Sequence, residues 1–339
     1  MTSSLASIKK GSLLLDFVQP SAHCFNPTRL HNALLPITSL SVVVPGEVNA
    51  RHDTEISSGI VLLSGPPFSG KSRLLSHLLS HLTSSSSSCP VTGAVVVFDL
   101  DGRFNYDPAG KLDHAGSKML VIRPASLDQL ATCLRMLCSG ELFCRLSSCL
   151  TTSAATPAIF TVNGSDLVIA SHGAHLRQLL CLPVAAVALD GLAAHYWSSL
   201  TTTTAGSSSS LQWHGFITSM MRMARDIVLR FDNIPFFISL TSFSHNTTPT
   251  APATMATVDL DGTYHRMDPI WPFVTGADVL VLLNRNRDLQ SIDNIDNTAG
   301  VKVKFSGLIL YAGRKHAARS FAFQITNSGL IFTSTSFSH

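Results

Sequence analysis

Gly65, Gly70, Lys71 and Ser72 fix the four constant positions of GPPFSGKS, an eight-residue stretch running from Gly65 through Pro66, Pro67, Phe68 and Ser69 to Ser72. This spacing can hold the phosphates of a nucleotide. Glycines let the backbone wrap close around phosphate oxygens with several N–H groups pointing inward. The lysine carries a point charge to the β- and γ-phosphates, and the serine hydroxyl can ligate Mg2+. At average composition the four positions coincide by chance in about one chain in a hundred of this length, so the surroundings decide between a nucleotide site and a glycine-rich turn. GIVLLS precedes the loop and RLLSHLLSHL follows it, which supplies the strand before and the helix after that a phosphate loop requires. ATP with Mg2+ is the expected ligand.

Two carboxylate positions extend the chemistry. VAAVALD is an apolar strand ending in Asp190, a charge expensive to bury without a partner. Holding Mg2+ beside Ser72, directly or through water, gives it one. In VVVFDLDGRF the two-residue strand period brings Asp99 and Asp101 to the same side. A carboxylate near the γ-phosphate can orient and activate water. Asp101 is the catalytic candidate, Asp99 a structural one. The competing reading of Asp101-Gly102 is a turn at a strand end.

The elements that must position these residues follow from periodicity. From Gly59 onward apolar runs alternate with helical segments: GIVLLS, Ser72 to Leu82, GAVVVFDLD, KMLVI and ASLDQLATCLRML. That alternation predicts parallel strands with crossover helices, hence an α/β sheet. LVIASHGAHLRQLLCLPVAAVALD predicts a helix running up to a buried strand. Phe216, Met220, Met223, Ile227 and Phe231 recur at helical spacing and give one apolar face, leading into the strand IPFFISLTS. DVLVLLNRN, FSGLILYAG, RSFAFQIT and GLIFTS alternate and are separated by turn residues, so they are expected as antiparallel strands on one edge. The mixed sheet is then mostly parallel, with helices serving chiefly its first half. Residues 1–57 read as an N-terminal extension packing on a core formed by 58–339. Serine runs at 84–88 and within 201–210 read as surface loops, and 139–157 as an insertion without a period.

Composition narrows the class. Hydrophobic residues are 45% of 339 and charged ones only 13%, so Ser and Thr provide much of the polar surface and burial against a partner is plausible. No apolar run reaches the roughly 18 to 20 residues of a membrane helix, and neither membrane association nor a secretory signal is expected. The seven cysteines lack the short spacings of zinc sites and read as reduced thiols of a cytosolic or nuclear protein. After Asp296 no acidic residue remains, while Lys302, Lys304, Arg314, Lys315 and Arg319 fall there and Arg285 and Arg287 lie just upstream. This is either a footprint for phosphates or the solvated face of a strand tail.

In order, the phosphate loop, VVVFDLDGRF, VIRPASLDQLATCL, VAAVALDGLAAHYW and the helix into IPFFISLTS resemble the ATPase core of the RecA-type recombinase superfamily, in particular the eukaryotic DNA-repair recombinase paralogues. The resemblance spans about residues 55 to 333. It implies a RecA-like P-loop ATPase core and a nuclear role in homologous recombination and double-strand-break repair. The partners it implies are other recombinase paralogues in a hetero-oligomer, which helps a recombinase assemble on single-stranded DNA. Active recombinases carry Glu where Asp101 stands and a γ-phosphate-sensing Gln where Thr241 falls, and residues 1–57 do not read as their small helical DNA-binding domain. Nucleotide binding with weak hydrolysis is therefore expected. The family's two DNA-contacting loops would fall near 198–212 and 243–268, where Arg266 is the basic residue beside Phe243, Tyr264 and His265. A freely hydrolysing P-loop enzyme such as a kinase, and a structural RecA-like subunit, are the alternatives.

Overall fold

The computed structural model describes Leu34 and residues 42–43, 59–83, 93–104, 118–149, 159–162, 165–169, 173–195, 208–241, 256–258, 264–266, 276–285, 303–311, 318–326 and 329–333. The serine run at 84–88 and residues 201–207 lie outside that set, as does most of the extension before residue 58. Of the extension, Leu34 is buried in the core, and Val42–Val43 form a short strand, β1.

The chain is α/β, with one mixed 12-stranded sheet. Its parallel part is built from β2 (Ile60–Gly65), β3 (Ala94–Asp99), β4 (Met119–Arg123), β7 (Val184–Asp190), β8 (Phe236–Thr241) and β11 (Val279–Arg285). Their spatial order is β11-β2-β8-β7-β3-β4, every neighbour parallel. Every residue of β2, β3 and β7 is buried, as strands covered on both faces require, and this is why they read as unbroken apolar runs.

Helices cover the two faces. On one lies α1 (Lys71–Thr83), whose Leu74, Leu75, Leu78 and Leu79 are buried against Val61, Leu63, Val95 and Val97. On the other lie α2 (Leu127–Ser139), α3 (Glu141–Cys149), α4 (Gly173–Leu180) and α5 (Ser208–Arg230), packed on Leu62, Val96, Phe98, Leu189 and Ile238. Met220 and Ile227 of the expected α5 stripe are fully buried, and Phe216, Met223 and Phe231 pack partly buried beside them. Ser126 caps α2, its hydroxyl accepting the Gln129 N–H at 3.2 Å while the Gln129 amide oxygen accepts the Ala125 N–H at 2.6 Å. Ser126→Ala is expected to cost about 1 kcal/mol, measurable as a lower urea midpoint with unchanged slope.

Antiparallel strands complete both edges. β12 (Val303–Tyr311), β13 (Ala318–Thr326) and β14 (Gly329–Thr333) extend from β11, with β1 also on β13. At the far edge β6 (Ser165–Ile169) pairs antiparallel with β4, and β5 (Ile159–Val162) pairs with β6. A separate ribbon pairs β9 (Ala256–Val258) with β10 (Tyr264–Arg266).

Four expectations are corrected. DVLVLLNRN is not an antiparallel edge strand: β11 runs parallel to β2, Val279 opposite Val61, and only its other side is antiparallel. Alternation fixes which residues share a face but carries no strand direction. Residues 141–149, read as part of an insertion without a period, form α3, where Leu142, Phe143 and Leu146 are buried. Ser208–Ser210, read as loop, start α5. LVI at 167–169 belongs to β6, and the described helix that follows spans Gly173–Leu180.

Cys133, Cys138, Cys144 and Cys181 are free thiols. Burial pushes the Cys133 thiol up to about 12, and burial with nearby Asp226 takes Cys138 to about 11. Since the thiolate is the reactive form, N-ethylmaleimide is expected to label exposed Cys144 and Cys181 in the native chain and to reach Cys133 and Cys138 only on unfolding. Peptide mass spectrometry reads the difference; prompt labelling of Cys133 would contradict the packing of α2.

Candidate functional site

The carboxyl ends of parallel strands are where open α/β sheets place ligands, and four candidate or aligned positions meet there. Gly65 ends β2 directly opposite Thr241 at the end of β8, and Asp99 ends β3 directly opposite Asp190 at the end of β7. The GPPFSGKS segment leaves β2 at Gly65 and enters α1 at Lys71. A Cβ on Gly65 would run into the Leu283 carbonyl oxygen of β11, so only glycine lets the loop start against that strand. Gly70 takes φ 83 on the way into the helix, and the Ser69 N–H donates to the Pro66 carbonyl at 3.2 Å to close the turn. Pro67 and Phe68 are exposed at its tip, Phe68 with a left-handed φ of 62.

Lys71 is buried, its ammonium donating to Gly65 O at 3.0 Å, Pro66 O at 2.8 Å and Ser69 Oγ at 3.2 Å. All three donors of the ammonium are used, so the charge is held inside the loop where phosphate oxygens would gather. Burial lowers its pKa from 10.5 to about 8, against the opposing pull of Asp190 and Asp101. The sign has a consequence for binding. Lys71 loses its charge as pH rises through about 8, and a phosphate ligand then loses its point charge. Affinity for a nucleotide triphosphate is expected to fall by up to about tenfold per pH unit above that value, which titrations at several pH values will read.

Ser72 and Asp190 are 118 residues apart, yet the Ser72 hydroxyl donates to Asp190 Oδ1 at 3.0 Å. Asp190 is fully buried, and among the described residues its Oδ2 has no hydrogen-bond partner. Burial raises its pKa, the Ser239 and Ser72 hydroxyls hold it down, and Asp101 and Asp99 push it up again. An orphaned, desolvated carboxylate oxygen beside a serine hydroxyl fits Mg2+, which takes one or two protein oxygens and completes its shell with phosphates and water. Among the described residues no group of three or more His, Cys, Asp or Glu could enclose a metal by itself.

The two remaining carboxylates differ. Asp99 is engaged on both oxygens, Oδ1 by the Phe104 N–H at 3.2 Å and Oδ2 by the Arg123 guanidinium at 2.9 Å. Asp101 is exposed, with Oδ1 accepting the Arg103 N–H at 3.1 Å. It lies near enough to influence both Lys71 and Asp190 electrostatically.

Ser239 and Arg123 were not read from the sequence as site residues. A buried serine within the apolar run FFISL was the available signal for Ser239, since a buried hydroxyl calls for a partner. Nothing in the sequence marks Arg123 as the partner of Asp99.

The expected DNA loops lie largely outside the described residues. Of 198–212 the described part is the start of α5, and of 243–268 it is the β9–β10 ribbon, with Tyr264 opposite Val258 and Arg266 opposite Ala256. Of the basic tail, Lys304 and Arg285 are exposed on neighbouring strands. Among the described residues no helix is long and apolar enough to cross a membrane. No protein-family model and no curated protein sequence matches the chain.

Proposed function

We propose that this chain binds ATP with Mg2+ and acts as a RecA-like recombinase paralogue in homologous recombination. The observation that carries the nucleotide reading is the meeting of Lys71, Ser72 and Asp190 at the carboxyl end of the parallel strands, with Ser72 and Asp190 in hydrogen-bond contact. Residues 65–72 would cradle the phosphates, Lys71 would neutralise them, and Ser72 with Asp190 would hold Mg2+. The bound ion would neutralise charge on the phosphate oxygens.

ATP serves here as a clamp more than as a fuel. Thr241, a short hydroxyl residue rather than an amide, stands opposite Gly65, and Asp101 offers a carboxylate one methylene shorter than the Glu of active recombinases. Turnover at the rate of an active recombinase would overturn this part of the reading. The recombination role rests on the resemblance in motif order, with single-stranded DNA reached through a complex of sister paralogues in the nucleus. Purification of the tagged full-length chain from its native cells tests it. Co-purifying recombinase paralogues are expected; a preparation containing none, with brisk ATP turnover, would favour a free P-loop ATPase or kinase-like enzyme.

A further inference from the structure

Gly191 follows Asp190 at the end of β7 and takes φ 77. A Cβ built on it would lie 2.7 Å from Asp101 Cγ, 3.0 Å from Asp101 Cβ and 3.0 Å from Asp101 Oδ1. The Asp101 carboxyl therefore rests directly on the Gly191 backbone, and no residue with a side chain could occupy 191 without moving it. The same Oδ1 accepts the Arg103 N–H at 3.1 Å, which tethers the carboxylate in place. The contact draws together the tips of β3 and β7, one bearing Asp101 and the other the buried Asp190 whose Oδ2 has no partner among the described residues.

Resting on the nucleotide reading above, we propose that Gly191 is a positioning residue. By presenting bare backbone at the end of β7 it lets the short side chain of Asp101 stand beside Asp190. There Asp101 serves as a second carboxylate toward Mg2+, accepting hydrogen bonds from the cation's water shell. Asp190 would hold the ion together with Ser72, its hydrogen-bond partner, and the exposed Asp101 would accept from the ion's waters. A second carboxylate also suits a cation that keeps several waters and needs acceptors for them.

The experiment is a titration of the full chain with a fluorescent ATP analogue, once with Mg2+ and once with EDTA, taking the ratio of the two affinities as the metal-dependent gain. Gly191→Ala and Asp101→Ala are each expected to reduce that gain about tenfold, the lower end of the range for residues that hold a metal's outer shell, and the double variant no further. Gly191→Asn separates strain from displacement, because Asn tolerates a left-handed φ yet carries a Cβ; it is expected to lose the gain as Gly191→Ala does. Thermal unfolding checks that each variant is folded, and Asp101→Ala, at an exposed position, tests the proposal even where the 191 variants do not fold. If wild type shows no saturable binding, the nucleotide reading fails and takes the proposal with it. If wild type gains affinity with Mg2+ while Asp101→Ala or Gly191→Asn keeps the full gain, the proposal alone is overturned.

Discussion

Lys71→Ala is expected to weaken ATP binding by about a hundredfold to a thousandfold while leaving the chain folded. The size follows from what the ammonium does in a nearly dry loop, where removing one member of a buried, hydrogen-bonded charge pair costs roughly 2–5 kcal/mol, and each 1.4 kcal/mol is about tenfold. Folding is spared because two effects oppose each other. Three hydrogen bonds to Gly65 O, Pro66 O and Ser69 Oγ are lost, but so is a cation whose pKa burial has depressed to about 8. Below that pH the folded chain carries a desolvated charge that the unfolded chain solvates freely, so its removal offsets part of the lost bonding. Lys71→Arg is not expected to rescue binding, since the broad planar guanidinium does not match a compact ammonium enclosed by two carbonyls and a hydroxyl. Fluorescence titration gives the affinity, and a urea melt of the same preparation shows whether the variant is folded.

The second large effect separates stability from binding. Asp190→Asn is expected to raise the stability of the ligand-free chain by up to about 2 kcal/mol and to reduce Mg2+-dependent nucleotide affinity by at least about a hundredfold. Burial raises the pKa of Asp190 from its ordinary 3.8. A carboxyl with a raised folded pKa keeps its proton in the folded chain at pH values where the unfolded chain has released it. Stability therefore falls as pH climbs from about 3.8 through the raised value, and above that value the charged Asp190 destabilises the empty site. Asparagine keeps an oxygen to accept from Ser72 and puts an amide where Oδ2 has no partner among the described residues, but it offers Mg2+ no charge. A higher urea midpoint with lost Mg2+ dependence is the expected pair of results. A lower midpoint would mean that Asp190 is a structural carboxylate whose partner lies elsewhere.

The local parts of this site were legible in the sequence because they are written in contiguous residues. Two glycines, Lys71 and Ser72 sit at fixed spacing between an apolar run and a leucine-rich segment, and a phosphate loop needs little else. Asp190 was legible for a related reason: a charge closing seven buried residues is costly unless something holds it. What was not legible depends on pairing between distant segments. The direction of β11 beside β2 is set by sheet packing, and an alternating strand reads the same in either direction. α3 was missed because its nine residues carry two serines and two cysteines beside three apolar positions, a mixture with weak helix propensity that tertiary burial of Leu142 and Leu146 overrides. Gly191 was not read from the sequence as a site residue. Its close contact with Asp101 exists only once β3 and β7 stand side by side.

The nucleotide site is tested most directly by calorimetric titration of the full chain with a non-hydrolysable ATP analogue and Mg2+. The expected result is saturable binding of one nucleotide per chain, strengthened by Mg2+ and lost in Lys71→Ala. A folded chain that gives no binding heat at any of several temperatures and leaves the analogue unretained in equilibrium dialysis would contradict it, as would equal binding by wild type and Lys71→Ala.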